Sequence, residues 1–181
     1  MFDRDGFIAD CRSALSEDTG YRAVREVIAR AVSEPAAVIE GLGPPTRSGI
    51  QTLYQSEDLT ILNIVWGAKM TMIPHNHTMW ALIGIYTGRE DNILWRRVAG
   101  ESGGKIEAAG AKALVEREVF PLGRDAIHSV TNPIPRLTGA IHVYGGNFFE
   151  AERSEWDPET LLEHPYDIGK ILRLYEEANV G

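Results

Sequence analysis

Two periodicities divide the chain. Over residues 5–42 apolar side chains return every three to four positions, as Phe7, Ile8, Cys11 and Leu15 and then Tyr21, Val24, Val27, Ile28, Ala31 and Val32. That spacing lines one face of a helix, so it predicts two short amphipathic helices with Asp18 or Thr19 as the cap between them. Glu34-Pro35 stops the second, residues 36–42 form a third short segment, and Gly43-Pro44-Pro45 ends the pattern. From Gly49 onward the pattern changes to short β-rich runs broken by Gly, Pro and Asn, at 50–55, 59–66, 71–73, 80–86, 92–98, 105–108, 113–120, 126–131 and 137–144. Many short strands with frequent turns imply an all-β sandwich or barrel. After Phe149 the chain turns acidic, Asp157-Pro158-Glu159 opens a last helical stretch, and residues 168–178 form a short C-terminal helix.

With no internal repeat and no low-complexity segment, 181 residues of 44% hydrophobic content suit one domain. We divide it into an N-terminal helical extension packed on the barrel (1–46), the barrel (47–150) and a C-terminal segment (151–181). A net charge of −8 and a pI near 5.1 argue against a nucleic-acid partner, which would require a basic patch. The single cysteine, Cys11, allows neither an internal disulfide nor a cysteine-based metal cluster, which fits a reducing cytoplasm. Its place on the apolar face of the first helix predicts a buried, inert thiol. The acidic N-terminal run lacks a long apolar stretch, so it predicts neither a signal peptide nor a membrane span.

The candidate chemistry lies in the histidines. His75 and His77 flank Asn76, and on an extended strand two residues so spaced leave the same face, their roots roughly 6.5 to 7 Å apart. Two imidazoles there can converge on one ion, although the pair alone suits equally two solvated side chains beside a turn. Two more lie on late strands: His128, in Gly123-Arg-Asp-Ala-Ile-His128-Ser-Val-Thr-Asn132, and His142, in Ala140-Ile-His142-Val-Tyr144. Taken singly, each of these is also a satisfied core histidine. Trp66, Trp80, Trp95 and Trp156 suit core or interface packing, with Trp80 alternatively walling the pocket, and His164 an ordinary surface position.

Gly67, His75-x-His77 and Gly88, followed by Pro121-x-Gly123 and His128-x-x-x-Asn132, resemble the two halves of the cupin double motif over about residues 47–150. The resemblance implies an all-β double-stranded β-helix, a small jelly-roll barrel holding a metal inside. Shortly after the second His the common cupin pattern places a metal-binding Glu, and here Ala81 and Leu82 stand instead. The implied ligand set is therefore His75, His77 and His128 without a carboxylate, the arrangement of cupin thiol dioxygenases. His142-x-Tyr144 resembles their outer His and Tyr, although the Ser usually found two residues earlier is Ala140. Residues 80–90 look like the bacterial branch, similar to 3-mercaptopropionate dioxygenase.

That resemblance implies Fe(II), with Zn(II) or Ni(II) as alternative occupants in purified protein, and a small thiol acid and O2 as partners. A sulfinic acid would be the product. Three neutral imidazoles leave a divalent ion its full charge, which favours an anionic thiolate beside it. For the substrate carboxylate, the bacterial relatives use an Arg that matches Arg153, and a Gln that matches Gln55 stands where cysteine dioxygenases have their Arg. This tilts the substrate toward an acid such as 3-mercaptopropionate, with cysteine as the other candidate. Arg153 also sits among Glu150, Glu152 and Glu155, a setting equally suited to a solvated ion-pair network, and Gln55 suits the polar face of an edge strand. Other metal-dependent cupin enzymes, such as a Zn hydrolase or isomerase, and a non-catalytic metal or ligand sensor are the alternatives, and a homo-oligomer is compatible with any of them.

Overall fold

The structure, a computed structural model, describes residues 2–18 and 20–180. Three helices come first, α1 (Arg4–Glu17), α2 (Arg22–Ser33) and α3 (Pro35–Leu42). Asp3 caps α1 by accepting from the Asp5 amide, and Pro35 starts α3 where its missing N–H would have had no partner. The expected cap between α1 and α2 is different: Asp18 accepts from the Gly20 amide at 2.9 Å in a turn, and α2 begins after Tyr21 with no side-chain cap. Thr19, the other expected cap, lies outside the described residues.

Strands follow as β1 (Gly49–Gln55), β2 (Thr60–Trp66), β3 (Thr71–Asn76), β4 (Ala81–Thr87), β5 (Arg89–Arg97), β6 (Ile106–Val115), β7 (Val119–Leu122), β8 (Ile127–Thr131) and β9 (Thr138–Tyr144). After them come β10 (Ser154–Trp156), β11 (Glu163–Pro165) and a final helix, α4 (Ile168–Glu177). The antiparallel pairs β5·β6, β4·β7, β3·β8 and β2·β9 nest inside one another, so the chain from β2 to β9 is one long folded hairpin with its tip between β5 and β6. This hairpin coils until β4 also meets β9 and β5 also meets β8. Two facing sheets result, ordered β1-β2-β9-β4-β7 and β11-β10-β3-β8-β5-β6. That is a double-stranded β-helix, as the resemblance implied.

The main departures from the expected strands have local causes. β3 continues through Pro74, whose missing ladder donor is accommodated by a register irregularity between Met72 and His75. The separate runs 105–108 and 113–120 are redrawn, because β6 passes unbroken through Gly110 and the real turn comes at Arg117, in the left-handed region at φ 74°. The helical stretch expected to open at Asp157 is instead a turn, with Asp157 Oδ1 accepting from the Glu159 and Thr160 amides, that leads into β11. β10 and β11 were not foreseen, being three residues each and too polar to show an apolar pattern. β10 nevertheless joins the barrel, with Glu155 paired to His75 of β3.

Alternation on β2, β4 and β9 separates two cores. Leu62, Ile64, Trp66, Ala81, Ile83, Ile85, Ala140 and Tyr144 pack inside the barrel, whereas Ile61, Leu82, Tyr86, Ile141 and Val143 pack outward beneath α1, α2 and α3. Both faces of the five-stranded sheet are thus covered, which explains why β2 and β9 are buried along their whole length. Cys11 is fully buried in the outer core, and burial pushes its thiol up to about 12, as its place on the helix face predicted. α4 supplies Ile171 and Tyr175 to the inner core, with Tyr175 stacked on Trp66 at 5.4 Å between ring centroids. No helix among the described residues is long and apolar enough to cross a membrane.

Candidate metal centre

His75 and His128 face each other directly across the β3·β8 pair, and His77 follows at the end of β3 on the same side. All three are buried, and their ligand nitrogens lie within 4.8 Å of one another. Fixed partners settle two of the tautomers. The Ile73 carbonyl, 2.9 Å from His75 Nδ1, can only accept, so the proton is on Nδ1 and the Nε2 lone pair is free. His128 Nδ1 lies 2.7 Å from Asn92 Oδ1, and Asn92 Nδ2 in turn donates to Glu90 Oε1 at 3.0 Å, so His128 also carries its proton on Nδ1. His128 Nε2 then presents a lone pair to His77 Nε2, 2.9 Å away, while His77 Nδ1 is buried without a hydrogen-bond partner.

This donor set fits a divalent ion. Cis ligands at about 2.1 Å from an ion lie roughly 3.0 Å apart, close to the His77–His128 separation, and bonding to a cation would use the converging lone pairs. Protons suit the cluster less well. Burial lowers His75 to about 4 and holds His77 and His128 well below the ordinary imidazole range, with mutual repulsion of the rings acting in the same direction. In the unfolded chain the same rings take protons near 6.5, so between that value and about 4 the unfolded state binds more protons. Stability of the metal-free protein is therefore expected to fall as pH drops through this window. Urea midpoints measured at about pH 7 and about pH 5 test it, and equal midpoints would mean that the rings are solvated.

Around the cluster, the period-two spacing of β9 brings His142 and Tyr144 to one face, with His142 Nδ1 3.1 Å from the Tyr144 hydroxyl. Burial raises the Tyr144 pKa, so it stays a phenol. Arg153, 8% exposed, lies between two rings, its guanidinium carbon 4.0 Å from the centroid of Phe148 and 4.1 Å from that of Tyr166. Its Nε and Nη1 have no hydrogen-bond partner. The ion-pair alternative does not hold: Glu155 pairs with Lys170 at 2.8 Å, Glu150 and Glu152 are exposed, and none of the ion pairs among the described residues includes Arg153. Arg153 and Tyr166 line an outer groove of about 760 Å³, and Tyr166 and Phe148 line the small inner space, about 20 Å³, beside the histidines.

Gln55 is not brought to the cluster. A register shift between Thr52 and Tyr54 turns both Leu53 and Tyr54 toward the helical layer, leaving Gln55 exposed and donating to Asn147 Oδ1 at 2.9 Å. Glu90, Asn92 and Tyr166 were missed as site residues. Glu90 is fully buried, with Oε2 accepting from Trp66 Nε1 at 2.8 Å and lying 3.4 Å from His142 Nε2. A signal existed, since Glu90, Asn92 and Leu94 share one face of β5, and two polar residues on a barrel-facing row call for partners.

No family model matches the chain. Three solved structures of similar shape illustrate the neighbourhood. An uncharacterized conserved protein with a double-stranded β-helix domain from Klebsiella pneumoniae is 10% identical, the match covering 62% of this chain and 86% of the other at a TM-score of 0.46. An RmlC-like cupin family protein from Methanocaldococcus jannaschii is 13% identical over 60% of this chain and 88% of its own, at 0.47. KdgF from a Halomonas species is 13% identical over 57% and 84%, at 0.43. The fold itself rests on the nested strand pairing described above.

Proposed function

We propose that this chain is a cupin thiol dioxygenase, dependent on Fe(II) and O2, that converts a small thiol acid lacking an α-amino group to its sulfinic acid. The observation that carries this reading is Arg153: a buried guanidinium with free donors and no acidic partner, beside a donor set made only of imidazoles. A buried cation without a counter-charge is costly, and the ligand that offsets it is an anion whose planar carboxylate matches the guanidinium fork. A thiolate is the complementary anion at the other end, since His75, His77 and His128 leave the ion's charge undiminished.

The balanced reaction takes R–SH and O2 to R–SO2H, both oxygen atoms ending on sulfur. His75, His77 and His128 would hold the iron, which when bound would supply the activation of O2. The chain's own residues bind, orient and exclude water. Arg153 fixes the carboxylate end, the aromatic wall of Phe148, Tyr166 and Tyr175 keeps the inner space dry and small, and the Tyr144 hydroxyl shares a proton with His142 Nδ1 or, when turned, donates it to the substrate.

Oxygen-electrode assays of iron-loaded protein with 3-mercaptopropionate, cysteine, cysteamine and mercaptosuccinate test the reading. Uptake greatest with 3-mercaptopropionate is expected. Zinc in protein produced with iron available, together with no uptake from any thiol, would refute it. Tyr144→Phe is expected to retain metal while turnover drops about 100-fold, the range typical of a lost proton donor. Wild-type turnover in that variant would remove Tyr144 from the chemistry.

A further inference from the structure

Glu90 lies at a branch point that neither the ligand set nor the Tyr144 pair accounts for. It stands on β5 in the six-stranded sheet, yet one carboxylate oxygen reaches across the barrel toward His142 of β9 in the other sheet. The second oxygen accepts from Asn92 Nδ2, two residues along the same inward row. Both residues are buried, at 0% and 1% exposure, so neither can exchange these partners for bulk water.

An asparagine side chain can present either its oxygen or its nitrogen to a neighbour, and what holds it one way is its other contact. A carboxylate only accepts. Glu90 therefore claims the Asn92 nitrogen, Asn92 must turn its oxygen to His128, and an oxygen there requires the proton on His128 Nδ1. The lone pair is then left on Nε2, facing the other histidines. We propose that Glu90 is a positioning residue that sets, through the Asn92 amide, the tautomer in which His128 can ligate a metal. The same carboxylate lies 3.4 Å from His142 Nε2 without forming a hydrogen bond to it. The inference rests on metal binding by His75, His77 and His128 and is independent of the substrate.

The donor–acceptor logic predicts a rescue that size and packing do not. In Glu90→Gln the introduced amide can keep its oxygen toward Trp66 and His142, but its NH2 then meets the Asn92 NH2. Asn92 relieves the clash by flipping, which offers a donor to His128 Nδ1 and moves the His128 proton to Nε2. Adding Asn92→Asp restores an acceptor for both neighbours, the introduced NH2 at position 90 and His128 Nδ1. Zn(II) and Co(II) affinities, measured by competition with a chromophoric chelator, are expected to fall about 10- to 100-fold in E90Q and to return to within a few-fold of wild type in E90Q/N92D. Histidine nitrogen–proton NMR correlations of the metal-free proteins should show His128 as the Nδ1–H tautomer in wild type and double variant and as Nε2–H in E90Q, with His142 unchanged throughout. An Nε2–H tautomer for His128 in wild type, an unweakened E90Q, or a double variant as weak as E90Q would each overturn the proposal. If E90Q does not fold, the wild-type spectrum and the double variant's affinity decide it alone. Wild-type protein that binds neither ion would instead refute the metal site itself, while the spectra still report the tautomer.

Discussion

His128→Ala is expected to fold and to bind no divalent ion. The substitution deletes one of three nitrogens that lie within 4.8 Å of one another, and the two left behind come from a single strand end. Neither neighbour can replace the lost ligand: Ala81 and Leu82 carry no donor atom, and the Glu90 carboxylate is already engaged by Trp66 and Asn92. The fold should survive because the nested strand pairs do not depend on the ring. The stability cost should be about 1–3 kcal/mol, chiefly from leaving Asn92 Oδ1 unpaired in the interior. Equilibrium dialysis against Fe(II) and Zn(II), read by elemental analysis, checks this. Stoichiometric metal in the variant would disprove the ligand assignment.

Arg153→Met should separate binding from stability. With its partner gone, the carboxylate of 3-mercaptopropionate loses a buried charge-assisted pair, so KM is expected to rise about 100-fold, whereas cysteamine, which has no carboxylate, should change only a few-fold. The melting temperature should stay the same or rise. Burial lowers the Arg153 pKa, a sign that the charged form is held against a desolvation cost, and stacking on Phe148 and Tyr166 offsets only part of it. A methionine side chain in the same slot keeps the aromatic contacts and removes that cost. A large loss of stability, or equal effects on both thiols, would make Arg153 a structural residue.

Much of this was legible in the chain because alternation is a strong signal wherever one face is buried. His75 and His77, and His142 and Tyr144, were paired on a common face from spacing alone, and the structure keeps both pairs. His128 needed the double motif, because no local rule says that β8 folds back on β3. Gln55 failed for the opposite reason: one register shift in β1 re-aimed the side chain, and bulges leave little trace in an apolar pattern. Glu90 and Asn92 carry a weaker signal, because charged and amide residues on a strand suggest a solvated face until the sheet opposite is known. β10 was invisible because three polar residues gain their strand conformation from the neighbour they pair with.

That short strand divides the labour of the molecule. The metal ligands belong to β3, its end and β8, inside the long folded hairpin, whereas Arg153 and Tyr166 flank the small β10·β11 ribbon added along the free edge of β3. Only a few ladder bonds attach that ribbon, through Glu155 and His75. On the proposed function, selectivity is therefore an accessory to reactivity in evolutionary terms. Changes of sequence in the ribbon can exchange one acid for another, or an acid for an amine, without altering the geometry of the three histidines.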